Sequence, residues 1–314
     1  MACQNTVEKH YYLMLFYMRD FLETFERYAQ YCLVIKNYSP CTLQGARSNF
    51  RAFVRRTGTK YIESINEEKA QEYLLSGRID RKWSASTYIT VLKHFNVFFK
   101  WCVKQKYLEV NPFEKIEKPR LEKRIPRGLS KEDAEKILST SKNMRYRYKF
   151  ERHRNYAIIS LLLFTGIRRG ELLNLELSHV DLSGNTLFVS QGKGRKDRMI
   201  PINSHLHGIL ERYLKERERL KRQNPHFFIS LKKDEGFAER GLRRLLNKIK
   251  ERSNIYFSTH TLRHTFATLM LEGGCDIYTL SKLMGHSDIT TTTIYLSAST
   301  KMLSQSIEKH PLGF

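Results

Sequence analysis

Hydrophobic positions in the N-terminal third of the chain recur every three to four residues, the period of an α-helix. Phe21, Phe25, Tyr28 and Cys32 form one stripe. Ser39-Pro40 sets an N-cap ahead of a proline at the first helical position; Leu43, Ala46, Phe50 and Phe53 follow as a second stripe, which Gly58 ends. A short helix is predicted over about residues 66–75, and a longer one from near Ser84 carries Tyr88, Val91, Leu92, Phe95, Phe98, Phe99 and Cys102. The pattern breaks at residues 111–127, where Pro112, Pro119 and Pro126 sit among alternating charges. Proline removes a backbone donor and pushes its predecessor to extended geometry, so this segment reads as an extended basic linker.

Periodicity resumes behind Ser130, an N-cap with Asp133 three residues on, and Ala134, Ile137 and Leu138 supply an apolar face. Asn155 to Phe164 is so apolar that it should be a central core helix, broken at Thr165-Gly166, with Arg168 opening the next helix. Thr186 to Ser190 alternates, Gly192-Lys193-Gly194 turns, and Arg198 to Ile202 returns, which predicts a β-hairpin. Helices are predicted over about 204–222 and 238–252, and another begins near Thr259. The expected architecture is mainly α with a small antiparallel β-hairpin or sheet in the second half. The expected divisions are an extension over 1–20, a helical domain over 21–110, a linker over 111–127, a second domain over 128–296 and a tail over 297–314.

Charge narrows the possible partners. Lys plus Arg number 55 against 32 Asp plus Glu, a formal net charge of +23, with a pI near 9.8. Such an excess suits a polyanion, because phosphates attract it and release counterions on binding. The polar face of the second helix carries Arg47, Arg51, Arg55 and Arg56, and the linker carries Lys118, Arg120, Lys123, Arg124 and Arg127. The helix stripe is either DNA-facing or a solvated charged face. Five scattered cysteines without CxxC pairing fit neither a disulfide framework nor a zinc site, and point to a reducing compartment. The apolar run Tyr11 to Met18 is far short of the ~20 residues that span a bilayer and reads as the start of an amphipathic or buried helix.

Six residues of the second half supply a specific chemistry: Arg168 in TGIRRGEL, Lys193 in GKGRKDRMIP, His260 and Arg263 in HTLRH, and His286 and Tyr295 in LMGHSDITTTTIY. They are several cations and one nucleophile, with no metal-ligand cluster, a set suited to cutting a phosphodiester with a tyrosine. His260 and Arg263 are three apart, on one helix face, and Asp288 or Ser287 can cap the short helix that presents Tyr295. Glu171 lies one turn from Arg168 and could hold its guanidinium, or form a surface ion pair of little worth.

This pattern resembles the tyrosine recombinase family, the lambda-type integrases, and within it the Xer-like branch, over roughly residues 20–312. YSPCTLQGARSNFRAFVRRTG is similar to the family's helical, SAM-like core-binding domain. The resemblance implies a two-domain DNA clamp whose catalytic domain follows the linker. It implies that Tyr295 attacks phosphorus to give a 3′-phosphotyrosyl bond, with Glu171 supporting. Arg168 and Arg263 would hold the non-bridging oxygens with forked donors, and His286 would donate another hydrogen bond there. Lys193 would be the general acid on the leaving 5′-oxygen. His260 would assist removal of the Tyr295 proton, since free tyrosine titrates near pH ~10. The covalent bond conserves the phosphodiester energy, so no cofactor, ATP or metal is implied.

The implied partners are double-stranded DNA with a specific site, a homotetramer on two such sites passing through a Holliday junction, and a possible partner recombinase or accessory protein. The implied location is the nucleoid-associated cytoplasm of a bacterium or archaeon, with no membrane partner. The tail, with Leu303 and Ile307 at helical spacing, would dock on a neighbouring subunit or fold back on its own domain. Two rivals are a type IB-like topoisomerase or single-DNA resolvase using the same chemistry, and a non-catalytic DNA-binding protein on the same scaffold.

Overall fold

The computed structural model describes residues 18–121, 128–190, 197–286 and 288–295, in two compact units divided between Lys123 and Arg124. The first unit is helical. Helix α1 (Phe21–Val34) starts at Asp20, whose carboxylate accepts from the Leu22 and Glu23 amides. Helix α2 (Pro40–Thr57) starts at Ser39 and stops at Gly58, which takes the left-handed φ of 64° that glycine adopts without steric cost. Helices α3 (Glu67–Ile79) and α4 (Ala85–Lys104) follow, capped by Asn66 and Ser84.

Phenylalanines fill the centre. Phe25 and Phe50 meet edge to face with centroids 4.5 Å apart, as do Phe50 and Phe95 at 4.7 Å. Such pairs contribute about 0.5–1.5 kcal/mol beyond their buried area. The linker does not open at residue 111. Phe113 is fully buried and stacks on Phe95 at 4.7 Å, and Ile116 packs on the same core. The Asn111 side chain sets this up, accepting from the Phe113 amide and donating to Asn96. The expected extension over 1–20 likewise ends early. Arg19 pairs with Glu63 and lies 4.5 Å over the Tyr107 ring, and Asp20 is the cap of α1. Residues 1–17 lie outside the described residues.

The second unit is built on α6 (Lys149–Thr165), preceded by α5 (Lys131–Asn143). The run from Ala157 to Leu163 is buried along its whole length, so α6 is a core helix covered from all sides, mainly by α8 (Ser204–Glu218), α5 and α10 (Thr259–Glu272). Helix α6 begins six residues before the predicted start at Asn155, and α8 ends at Glu218 rather than near residue 222. The sheet has three antiparallel strands rather than two, in the order β1 (Val180–Asp181), β2 (Thr186–Val189), β3 (Arg198–Pro201). Two-residue alternation turns Leu187, Val189, Arg198 and Ile200 inward. Helices α7 (Arg169–Leu173), α9 (Glu239–Ser253), α11 (Ile277–Met284) and α12 (Thr290–Thr293) complete the unit. Arg168 is the cap of α7 rather than its first helical residue.

Candidate active site

Three arginines converge on the end of one short helix. The last carbonyls of α11 have no intrahelical partner, and the helix dipole makes that end negative. Arg198 Nε donates to the Leu283 carbonyl at 2.7 Å, Arg263 to Met284 at 2.6 Å and Arg168 to Gly285 at 2.9 Å. Three successive carbonyls thus each take one guanidinium. The arginines come from β3, α10 and the cap of α7, so the site joins segments over a hundred residues apart in sequence.

Glu171 holds this cluster together. Arg198 grips both of its oxygens at 3.0 and 2.8 Å, and Arg168 reaches it with its guanidinium and its backbone amide, both at 2.8 Å. Burial alone would raise the Glu171 carboxyl, but the Arg198 fork and the Arg168 donors outweigh it and hold it down to about 2. Arg168 and Arg198 share this carboxylate, and Arg263 beside them bonds neutral acceptors, so cations are crowded here. The cost appears at Arg263, which burial and its neighbours Arg168 and Arg198 pull down to about 10, still cationic near neutrality.

Arg263 is carried by α10, whose start is a reciprocal pair of bonds between Ser258 and Thr261. Its second anchor is the carbonyl of Gly166, at 2.5 Å. Gly166 ends α6 at φ 59°, and a Cβ there would meet the Phe266 ring at 2.3 Å, so glycine is required for this approach.

His286 follows α11 directly. Its Nε2 lies 3.1 Å from the Arg263 guanidinium, which can only donate, and its Nδ1 lies 2.7 Å from the buried hydroxyl of Thr292. These partners assign a neutral ring with the proton on Nδ1. Burial and then Arg263, Arg168 and Arg198 push the imidazolium down to about 4. In this state His286 orients Arg263 as an acceptor; it is not the free donor expected from the sequence.

Tyr295 is delivered by α12. Asp288 accepts from the Thr290 amide at 2.9 Å and turns the chain, and the tyrosine ring packs among Phe266, Leu271, Leu280 and Met284 with 2 % exposure. Its hydroxyl lies 2.7 Å from Nδ1 of His264. His260, expected to assist this tyrosine, is exposed one turn earlier on α10, and its neighbour in HTLRH makes the contact instead.

The structure therefore brings Arg168, Glu171, Arg263 and His286 into one bonded cluster, with Tyr295 beside it. Lys193 lies outside the described residues, as do Ser287 and the tail over 297–314. Sequence reasoning missed Arg198, His264 and Thr292. An inward-facing charge in a strand of alternating pattern marked Arg198, and a histidine four residues beyond His260 on the same helix face marked His264.

Among the expected DNA contacts, Arg51 and Arg55 are exposed on α2, beside Pro40, Gln44 and Ser48 in a shallow groove. Arg47 lines that groove too, but its guanidinium is held by Glu26 at 2.8 and 2.6 Å. Lys118 and Arg120 are exposed; Lys123, Arg124 and Arg127 lie outside the described residues.

Comparison with known proteins gives the family. The phage integrase family matches residues 127–302, and the phage integrase N-terminal SAM-like domain matches residues 21–109. Tyrosine recombinase XerC of Oceanobacillus iheyensis is 33% identical over 304 residues, covering 93% of this chain and 96% of the relative. The crystal structure of XerA recombinase superposes with a TM-score of 0.53 at 25% identity, covering 93% of this chain and 99% of that one. The Tn1549 transposon integrase, solved in complex with circular intermediate DNA, shares the fold with a TM-score of 0.70 at 22% identity, covering 91% and 99%. The chain belongs to the phage integrase family, as a Xer-like tyrosine recombinase: an enzyme of site-specific DNA recombination that works through a tyrosine intermediate.

Proposed function

We propose that Tyr295 is the nucleophile and that the arginine cluster at the end of α11 receives the scissile phosphate. Tyr295 Oη attacks phosphorus, the bond to the 5′-oxygen breaks, and a 3′-phosphotyrosyl link remains. Arg168 and Arg263 take the non-bridging oxygens, where charge grows in the transition state and fixed donors give the largest electrostatic effect. Lys193 protonates the leaving 5′-oxygen. A 5′-hydroxyl from a second duplex then displaces Tyr295, and repetition on the other strands passes through a Holliday junction. The energy of the phosphodiester is kept in the covalent link, so the exchange itself consumes no ATP.

One observation supports this reading above the others: three anchored guanidiniums, those of Arg198 and Arg263 buried, meet beside a buried tyrosine, with Glu171 bonded to Arg168 and Arg198. An incoming phosphate would place negative charge among these cations. It would also raise the His286 imidazole, so that this ring could switch from accepting at Nε2 to donating there.

The substrate is double-stranded DNA carrying a specific site. Both units engage the duplex as a clamp, the helical unit through Arg51 and Arg55 and the connecting segment through Lys118 and Arg120. Arg47, Lys123, Arg124 and Arg127 contribute phosphate contacts in the same clamp. Four copies act on two sites, with a partner recombinase or accessory protein where the site demands one, in the nucleoid-associated cytoplasm of a bacterium or archaeon.

Covalent capture tests the reading. The protein is mixed with nicked genomic fragments, denatured in SDS, and the linked peptide is mapped. An adduct on Tyr295 carrying a shared DNA sequence, absent in Tyr295→Phe, is the expected result. Adducts without any shared sequence would replace recombination with a topoisomerase activity, and no adduct would overturn the nucleophile.

A further inference from the structure

The Tyr295 hydroxyl, the proposed reacting atom, is hydrogen-bonded to His264. Nδ1 of His264 lies 2.7 Å from Tyr295 Oη, and the two rings are tilted at 51° with centroids 5.5 Å apart. The direction of the bond follows from chemistry. Phenol is the stronger donor and a neutral imidazole nitrogen the stronger acceptor, so the tyrosine donates and His264 carries its own proton on Nε2. His264 is held neutral by burial and by the adjacent charges of His260 and Arg263. The other histidines of the site are committed elsewhere: both ring nitrogens of His286 are occupied by Arg263 and Thr292, and His260 is exposed.

Building on the reading of Tyr295 as nucleophile, we propose that His264 is a catalytic residue, the immediate acceptor of the Tyr295 proton during strand cleavage. As the Tyr295 Oη–P bond forms and the P–O5′ bond breaks, the phenolic proton passes to His264 Nδ1, giving an imidazolium. The leaving 5′-oxygen takes its proton from the general acid. On rejoining, the 5′-hydroxyl attacks phosphorus and gives its proton back to that general acid, and His264 returns its proton to Tyr295 as the Oη–P bond breaks. The need for such an acceptor is acute here. Burial raises the Tyr295 phenol above its ordinary 10.0, with only Arg263 acting against it, so phenolate is scarce near neutral pH. General-base assistance supplies about 10²–10⁴-fold in such a step.

The groups facing His264 define its pH response. His260 and Arg263 flank it on α10, Tyr295 faces it from the end of α12, and His286 sits beyond Arg263. Burial first, and then these two neighbours on α10, disfavour protonation, so the neutral acceptor form persists below the ordinary 6.5.

The test uses a duplex bearing the captured sequence with a 5′-bridging phosphorothiolate at the scissile position. Its thiolate leaves without a proton, so the rate reports activation of the nucleophile and not the general acid. His264→Asn keeps a side chain that can accept a hydrogen bond but cannot take up a proton. The expected result is cleavage slowed about 10²-fold or more, with a rate that climbs steadily with pH where wild type is flat, and unchanged DNA binding. His260→Ala should keep the flat shape of the wild-type pH profile, whatever its absolute rate. A His264→Asn rate within about threefold of wild type across the pH range would overturn the proposal. So would a faster rate, which would make the contact a restraint on the tyrosine, or a His260→Ala variant that alone acquires the steep profile.

Nitrogen-15 spectra of the histidines in the free protein decide the bond independently of activity. An Nε2–H tautomer at His264 whose Nδ1 resonance shifts in Tyr295→Phe is expected, and an Nδ1–H tautomer would overturn it. A wild type that forms no adduct would instead sink the nucleophile reading itself, while these spectra would still report on the hydrogen bond.

Discussion

Arg51 and Arg55 stand in solvent on α2, whereas Arg198 and Arg263 are buried around the end of α11. The same side chain does two kinds of work. On α2 no acceptor fixes Arg51 or Arg55 among the described hydrogen bonds, so their hydrated cations can follow a phosphate backbone without reading it. At α11 each guanidinium has lost its water and is bonded to carbonyls or to Glu171, which fixes its plane. Ordering has been completed during folding there, so little reorganisation is left for the reaction. Long-range attraction belongs to the first region and oriented charge to the second.

Removing Glu171 should break the buried region most severely. Glu171→Ala removes the carboxylate that the buried Arg198 grips and that Arg168 also bonds, and losing one partner of a buried pair costs about 3–5 kcal/mol. Urea unfolding should show that loss, and covalent capture should fall to background. Arg263→Lys keeps the charge but loses the fork that reaches Gly166, Met284 and His286 together. Cleavage should drop about 10²–10³-fold with DNA affinity little changed, measured in single-turnover assays.

Acid separates the two regions more gently. The Glu171 carboxyl is held at about 2 against an ordinary 4.5, so its stabilisation is complete above about pH 4.5 and is lost as pH falls toward 2. A Glu171→Gln variant should lack that part of the acid-unfolding curve. The surface set responds to salt instead. Arg51→Ala with Arg55→Ala should leave the thermal midpoint unchanged and flatten the log–log salt slope of DNA binding by about 0.9 per phosphate contact removed. An unchanged slope would remove α2 from the DNA interface. Arg47 sharpens the boundary, because its guanidinium already has Glu26. Arg47→Ala should change the slope less than either neighbour and cost no more than about 1 kcal/mol of stability.

Phe113 and the α11 cluster show where reading the chain stops. The prolines at 112 and 119 correctly forbid a helix, yet they carry no sign that an aromatic between them completes the helical core. The Asn111 turn that folds it back becomes meaningful only once Asn96 and Phe95 are in place. Similarly HTLRH offers two histidines one turn apart, and nothing local says which reaches Tyr295. Arg198 is one of several basic residues around a glycine-flanked lysine, and its role depends on an inward register and on Leu283, 85 residues away.

What the chain alone determined is what acts within a turn or two. The stripes of α1, α2 and α4, the caps at Ser39, Ser84 and Ser130, the stop at Gly58 and the pairing of Arg168 with Glu171 are all short-range, and all are present in the structure. Helix period, side-chain capping and backbone sterics depend on residues at most a few positions apart, so they can be read in order. Only the tertiary structure decided that Arg198 joins the cluster, that His286 accepts rather than donates, and that His264 holds the tyrosine. Those outcomes depend on groups brought together by burial from distant segments, where desolvation and the competition for acceptors, rather than sequence spacing, select the partners.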